Sequence, residues 1–407
     1  MKFGLNFFPS FRPGDGSTAE YFGQCLRLAE RADQLGFNSV KTVEHYFFDY
    51  GGHSPNPVAF LSAVAARTRQ IRPITGAVIP AFNHPVKLAA ELAMLDNLSQ
   101  GRLDAGFGRA FIPKEFEVFG VSMEDSRARY EEGIEIVTRL WTEDRVSYQG
   151  KFHSFHDVHL MPRPVQRPHP PIWVAAIASR ESFVWAGRRG YNVMIVPYAG
   201  GIDRVREMVR AYREAWRDAG HPPGAEQVQT SLHCYVAETR REAVEGARPR
   251  VERYIDVFGE AVSSWAGLQS GQYAGYGKMV ESIARTTIES MLETNQALIG
   301  TPDEVVEQLR FQIEVFGEIE PSMQINFGGM SDREAFRTLE LFAARVMPKF
   351  PSRLDHRARR TLPDPRCPPP SASPRLDPGR HRGHLPPGRG AREPSGPCAP
   401  VAGRATR

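Results

Sequence analysis

Four places in this chain combine residue types that could do chemistry. Ser179-Arg180-Glu181-Ser182 follows an apolar run (172–177) and opens a helical pattern (180–189), so it sits at a strand-to-helix turn. Helix N-termini offer free backbone N–H groups and the positive end of a dipole, so hydroxyls and an arginine there would make a cup for phosphate. The same serines suit ordinary N-caps, and both readings stand. Arg109, after the apolar run 103–107, would add a second cation if the two strand ends converge. His45 lies between Glu44 and Tyr46 at the end of the run 38–43. A histidine there can exchange a proton near neutral pH, or can be a half-buried structural residue held by Glu44. Gly76-Ala77 is a pair of small residues in the run 71–79, where a ligand could come close.

The elements that must position these residues alternate. Strand patterns occupy 3–8, 38–43, 71–79, 103–107, 172–177, 193–196, 230–236 and 322–327, with helical periodicity in most of the intervals. Eight such units in about 350 residues predict an α/β fold, a (β/α)8 TIM barrel. Insertions are expected after strands 4 and 7: a structured loop over 109–127, a hairpin over 146–160, and a stretch at 259–278 rich in Gly, Ser and aromatics that reads as a mobile lid. Ligands of such barrels sit at the C-terminal strand ends. That rule gathers the four motifs at one mouth and brings Phe8, Tyr46, Phe82 and Phe111 there as an apolar lining.

Composition sets bounds. The chain has 407 residues and a formal charge of +4, but its last 57 hold 12 Arg against 4 Asp plus Glu, a surplus of +8 that leaves −4 for residues 1–350. A mildly acidic body gives no electrostatic case for nucleic acid. Residues 351–407 also hold 13 of the 33 prolines and are expected to be a disordered, dispensable tail beyond a single 1–350 domain. No apolar run reaches 18 residues and the N-terminus reads as a first strand, so neither a membrane span nor a signal peptide is expected. Cys25, Cys234, Cys367 and Cys398 are widely spaced, and HExxH and CxxC are absent. That spacing predicts no metal site and a reducing cytoplasm.

Several segments carry a resemblance: MKFGLNFF, AERADQLGFNSVKTVEHYF, Asn56-Pro57, TGAVIPAFNHPVKLAAELAMLDNLSQGRLDAGFGRAFIPKEFEVFG, PPIWVAAIASRES and IGTPDEVVEQLR. In that order, over residues 1 to about 350, the chain resembles bacterial luciferase and the luciferase-like flavin monooxygenases. The resemblance implies a (β/α)8 barrel that binds reduced FMN, activation of O2 as a flavin C4a-(hydro)peroxide, and a dimer packed through helices after the early strands. It makes His45 the active-site histidine and sets Arg109, Ser179, Arg180 and Ser182 on the flavin phosphate. It also implies a non-proline cis peptide at Gly76-Ala77 beside the isoalloxazine. Two positions depart from luciferase: Tyr46 replaces a second histidine and Gly108 replaces a reactive cysteine. These bear on the light-emitting aldehyde reaction, not on flavin binding.

No GxGxxG lies between a strand and a helix, so reduced FMN is expected from a separate flavin reductase. The expected enzyme is an FMNH2-dependent monooxygenase, a homodimer acting on an apolar aldehyde, ketone or polyketide-like aromatic. Two alternatives stand beside it: a deazaflavin-dependent hydride-transfer oxidoreductase on the same barrel, and a non-catalytic flavin-binding partner subunit.

Overall fold

The computed structural model describes residues 1–351 except 178, 200, 266, 267, 269, 274 and 275. The disordered-tail expectation, from residue 352 on, lies outside the described residues. Along the chain come β1 (Gly4–Phe7), α1 (Thr18–Leu35), β2 (Ser39–Thr42), α2 (Pro57–Arg67), β3 (Arg72–Thr75), α3 (Pro85–Leu98) and β4 (Ala105–Phe107). An insertion adds α4 (Pro113–Phe119), α5 (Ser126–Thr142) and the antiparallel pair β5 (Val146–Gln149) and β6 (Ser154–Val158). Alternation resumes with β7 (Ile172–Ala175), α6 (Arg180–Arg189), β8 (Asn192–Ile195), α7 (Ile202–Asp218) and β9 (Val228–Val236). Last come α8 (Arg240–Val262), α9 (Tyr276–Ala284), α10 (Ile288–Glu293), the short β10 (Leu298–Gly300), α11 (Pro302–Phe316), β11 (Glu320–Gln324) and α12 (Asp332–Leu341).

Eight parallel strands form the barrel in the order β3-β2-β1-β11-β9-β8-β7-β4, and β10 adds to β9 off this path. Parallel bridges Ile74–Asp104 and Val78–Phe107 close the seam between β3 and β4. Gly106 makes that closure possible, because a Cβ there would lie 1.9 Å from the Thr75 carbonyl oxygen. Arg72 grips Asp104 across the same seam with two bonds of 2.8 and 3.0 Å. Every residue of β1, β2, β8, β9 and β11 is buried, as parallel strands covered on both faces must be.

Local signals start and stop the outer helices. Ser17 and Glu20 exchange side-chain-to-backbone bonds at the start of α1, and Gly36 ends it in the left-handed region at φ 83°. Thr301 and Glu304 do the same for α11, with Pro302 in its first turn. Four elements differ from the sequence expectation, the first being the added strand β10. Residues 113–119 form α4 rather than loop, and the helix expected over 280–293 is divided between α9 and α10, with the Thr287 hydroxyl capping the second. The expected mobile lid begins as the end of α8, and its described aromatics Trp265, Tyr273 and Tyr276 are buried.

Candidate active site

Two adjoining recesses open at the C-terminal ends of the strands. The first is an apolar cavity bordered by Phe8, His45, Gly76-Ala77, Gly108 and Phe111, with Asn6, Lys41, Ser231 and Gln324 among its polar lining residues. The second is a polar groove lined by Arg127, Ser179, Arg180, Arg204, Gln272 and Tyr276, together with Glu181 and Glu207.

His45 lies three residues beyond β2, and its neighbours diverge: Val43 and His45 line the cavity, whereas Glu44 and Tyr46 do not. His45 faces the cavity, with the rings of Phe8, Tyr50 and Phe111 at 5.9, 5.6 and 5.7 Å. Its Nδ1 sits 3.0 Å from Glu115 Oε1 on α4, and the same oxygen accepts the Tyr46 backbone N–H at 2.9 Å. Glu44 therefore does not hold His45. It turns the other way with Tyr46 and accepts from the Tyr46 hydroxyl (2.7 Å), the Ile79 backbone N–H (2.9 Å) and the Asn83 amide (3.0 Å). Burial outweighs these bonds and pushes the Glu44 carboxyl up to about 7.

The alternation that turns His45 inward removes Tyr46 from the cavity. Tyr46 and Phe82 pack instead against Phe119, at 4.7 Å each, in a separate aromatic cluster outside the expected mouth lining. Phe8 and Phe111 do border the cavity. The Gly76–Ala77 peptide is cis. Gly108 lies close by: a Cβ there would stand 3.0 Å from the Ala77 Cβ and 3.3 Å from Ile79 Cδ1.

At the groove, Ser179 occupies the N-cap position of α6 but makes no side-chain cap bond. Its hydroxyl donates to Glu181 Oε2 at 2.6 Å and accepts from Arg127 Nη2 at 2.9 Å. Ordinary capping is thus not what this serine does, and the first turn of α6 faces a groove with three arginines. Bonding to Ser179 is the main cause that holds the Glu181 carboxyl below its usual range. Ser182, in the same helical turn, is not among the groove-lining residues; its backbone N–H bonds back to the Ser179 carbonyl at 3.1 Å.

Arg109 stands between the two recesses. It borders the cavity, lies 4.3 Å over the Tyr273 ring and donates to the Gln272 carbonyl at 2.9 Å, while its Nη1 is buried without a hydrogen bond. The segment that meets it is pinned to the strand-4 loop by Trp265 Nε1 to the Phe111 carbonyl (2.9 Å) and the Tyr273 hydroxyl to the Ala110 carbonyl (2.5 Å). An orphaned guanidinium N–H, a helix start that no side chain caps and small residues at 76, 77 and 108 fit a ligand with an anionic end and a flat ring.

Sequence reasoning misses Glu115, Arg127 and Lys41. Glu115 follows Pro113 in a short helix that Gly120 terminates, so capping signals mark the helix although seven residues are too few for a period. Lys41 is a charge in the middle of a short strand whose every residue is buried, a place that lysine seldom takes.

The sequence profile of the luciferase-like monooxygenase family matches residues 1–315. The flavin-dependent trigonelline monooxygenase, oxygenase component, of Acinetobacter baylyi is 31% identical over 367 residues, covering 88% of this chain and 98% of that protein. The solved structure of monooxygenase RslO1 from Streptomyces bottropensis superposes with a TM-score of 0.78 at 45% identity, covering 86% of this chain and all of that one. The oxygenating constituent of 3,6-diketocamphane monooxygenase of Pseudomonas putida, a type II Baeyer–Villiger monooxygenase solved with FMN, shares the fold at 24% identity. Its TM-score is 0.71, covering 86% of this chain and 98% of that one. A match that runs from β1 into α11 and takes in Gly76-Ala77 and the groove residues makes the assignment plain: the chain belongs to the luciferase-like monooxygenase family.

Proposed function

We propose that this chain is the oxygenase component of a two-component monooxygenase. It takes reduced FMN from a separate flavin reductase and, with O2, oxygenates an apolar organic substrate: an aldehyde, a ketone or a polyketide-like aromatic. The observation that carries this reading is the junction of an arginine groove at the start of α6 with a glycine-bordered apolar cavity that holds His45. A relative 31% identical over most of both chains bears the name of an oxygenase component, which supports the division of labour.

Arg127, Ser179, Arg180 and the N-terminal N–H groups of α6 would hold the FMN phosphate. Arg109 would exchange the Gln272 carbonyl for it. Gly76-Ala77 and Gly108 would leave room for the ring, and reduced FMN with O2 supplies the oxygen-transfer chemistry when bound. With Nδ1 donating to Glu115, His45 keeps Nε2 to accept or donate a proton in the cavity. Trp265, Tyr273 and Tyr276 would exclude water from the reacting centre. The enzyme would work as a homodimer in the cytoplasm, with Cys25 and Cys234 as buried thiols.

The test supplies reduced FMN from a generic reductase and follows oxygen uptake, hydrogen peroxide and 18O incorporation with aldehydes, ketones and aromatic ketones. One substrate class should divert oxygen from peroxide into product, and His45→Ala should lose that product while still binding FMN. Binding of a deazaflavin but not FMN, or no 18O in any product, would overturn the proposal.

A further inference from the structure

The cavity contains a charge-bearing group that oxygenation as described leaves unused. Lys41 lies in β2, 2% exposed, and borders the cavity. Its Nζ donates to Gln229 Oε1 at 2.7 Å and Ser231 Oγ at 2.9 Å, both on β9. An ammonium carries three donors, and the third has no acceptor among the described residues. Asn6 Oδ1 on β1 and Gln324 Oε1 on β11 border the same cavity and are buried without a hydrogen bond. Lys41 also packs against the proposed ring site, since a Cβ on Gly76 would lie 2.7 Å from Lys41 Cδ.

The surroundings make this amine sensitive to what enters. β1 presents the neutral Asn6, the bend after β3 presents Gly76, and β9 presents the neutral Gln229 and Ser231. The nearby charge is Glu320 on β11, which is bonded to Ser39, to Asn38 at 2.9 Å and to Gln229 at 3.2 Å rather than to Lys41. Beyond it lie Asp104 and Arg72, paired with each other. Burial lowers the Lys41 amine to about 7, with the Glu320 carboxylate opposing that fall. An anionic acceptor entering the cavity would favour the ammonium, so its binding would draw up to one proton from solvent, the uptake growing as pH rises above 7.

We propose that Lys41, Asn6 and Gln324 form a recognition site for the edge of a planar ring that presents an anionic or carbonyl acceptor beside an N–H or O–H donor. Lys41 meets the acceptor and the two amide oxygens meet the donor. Two molecules carry this chemistry: reduced FMN at its pyrimidine edge, and a substrate ring with an ionised hydroxyl next to an O–H. The inference rests on the flavin-oxygenase reading for the ligand's position.

The experiment titrates wild type and Lys41→Met at pH 6, 7, 8 and 9, anaerobically with reduced FMN and separately with 2,3-dihydroxy-1,4-naphthoquinone, a ring probe whose monoanion sets an ionised hydroxyl beside an O–H. Calorimetry in two buffers of different ionisation enthalpy counts protons. In wild type, at least one ligand should bind with proton uptake and weaken up to about tenfold per pH unit above 7. Lys41→Met should bind that ligand about tenfold or more weakly at pH 6 and lose the pH dependence. The responding arm identifies the molecule. If neither ligand takes up a proton, or if Lys41→Met binds both as wild type does at every pH, the inference is overturned. Reduced FMN that binds with no pH dependence, alongside an unresponsive quinone, overturns the role of Lys41 and leaves the oxygenase reading intact. Circular dichroism and a thermal melt establish folding. Should Lys41→Met not fold, Ser231→Ala removes one acceptor of the ammonium and should move the pH midpoint of binding downward; an unmoved midpoint overturns the inference.

Discussion

Replacing Arg127 with methionine separates the phosphate of the flavin from its ring. Arg127 reaches Ser179 Oγ at 2.9 Å and Glu131 at 3.6 Å, and its side chain is 25% exposed. A hydrogen bond to a charged group contributes about 1.5–3 kcal/mol, and partial exposure argues for the lower half, about 1.5–2 kcal/mol. Arg127→Met should therefore weaken FMN binding by roughly 10–30-fold. Riboflavin carries the same ring without the phosphate, so its affinity should change by less than about threefold. The assay is quenching of flavin fluorescence by increasing protein, wild type and variant side by side. Glu181 offers a control of opposite sign: its carboxylate accepts a hydrogen bond from the Ser179 hydroxyl at 2.6 Å and sits in the same groove. Glu181→Gln should tighten FMN by a few-fold, on the order of 0.5–1 kcal/mol, and leave riboflavin unchanged. Equal losses of FMN and riboflavin in Arg127→Met would show that Arg127 only shapes the site. An unchanged FMN affinity would place the phosphate elsewhere.

Three further outcomes follow from buried partners. Glu115→Ala strips the acceptor from both His45 Nδ1 and the Tyr46 N–H, and should cost about 2 kcal/mol in urea unfolding and most oxygenation at unchanged FMN affinity. Glu115→Gln, which keeps an oxygen there, should recover part of both. Arg72→Met leaves Asp104 buried and unpaired at the barrel seam; with Arg72 28% exposed, the loss should be about 2–3 kcal/mol, and an unshifted urea midpoint would contradict that role. Glu44 is pushed up from 4.5 to about 7, so the folded chain keeps a proton that the unfolded chain releases between those values. Its contribution to stability therefore falls as pH rises through that window, by up to about 3 kcal/mol. Glu44→Gln should remove that slope from a pH series of unfolding curves, and an identical slope in the variant would refute it.

The barrel was readable because its evidence is local. Each strand announces itself in four to nine residues, and Pro57, Pro85, Pro302, Gly36 and Gly190 mark helix ends within one turn. The mouth was readable by one topological rule, which brought His45, Gly76, Arg109 and Ser179 together without any knowledge of contacts. What that rule cannot choose is the partner. Glu115 lies 70 residues from His45 and Arg127 lies 52 from Ser179, so each pairing exists only once α4 and α5 pack over the strand ends. Direction matters as well: consecutive residues past a strand end tend to alternate in the side they present, and His45 lines the cavity while Glu44 and Tyr46 do not. The same alternation gives Lys41 its meaning. A lysine in a strand whose every residue is buried needs acceptors inside the barrel or a ligand that brings them. Gln229 and Ser231 supply only two. A charge at such a position is thus a statement about the cavity's occupant, made in the sequence before any fold is drawn.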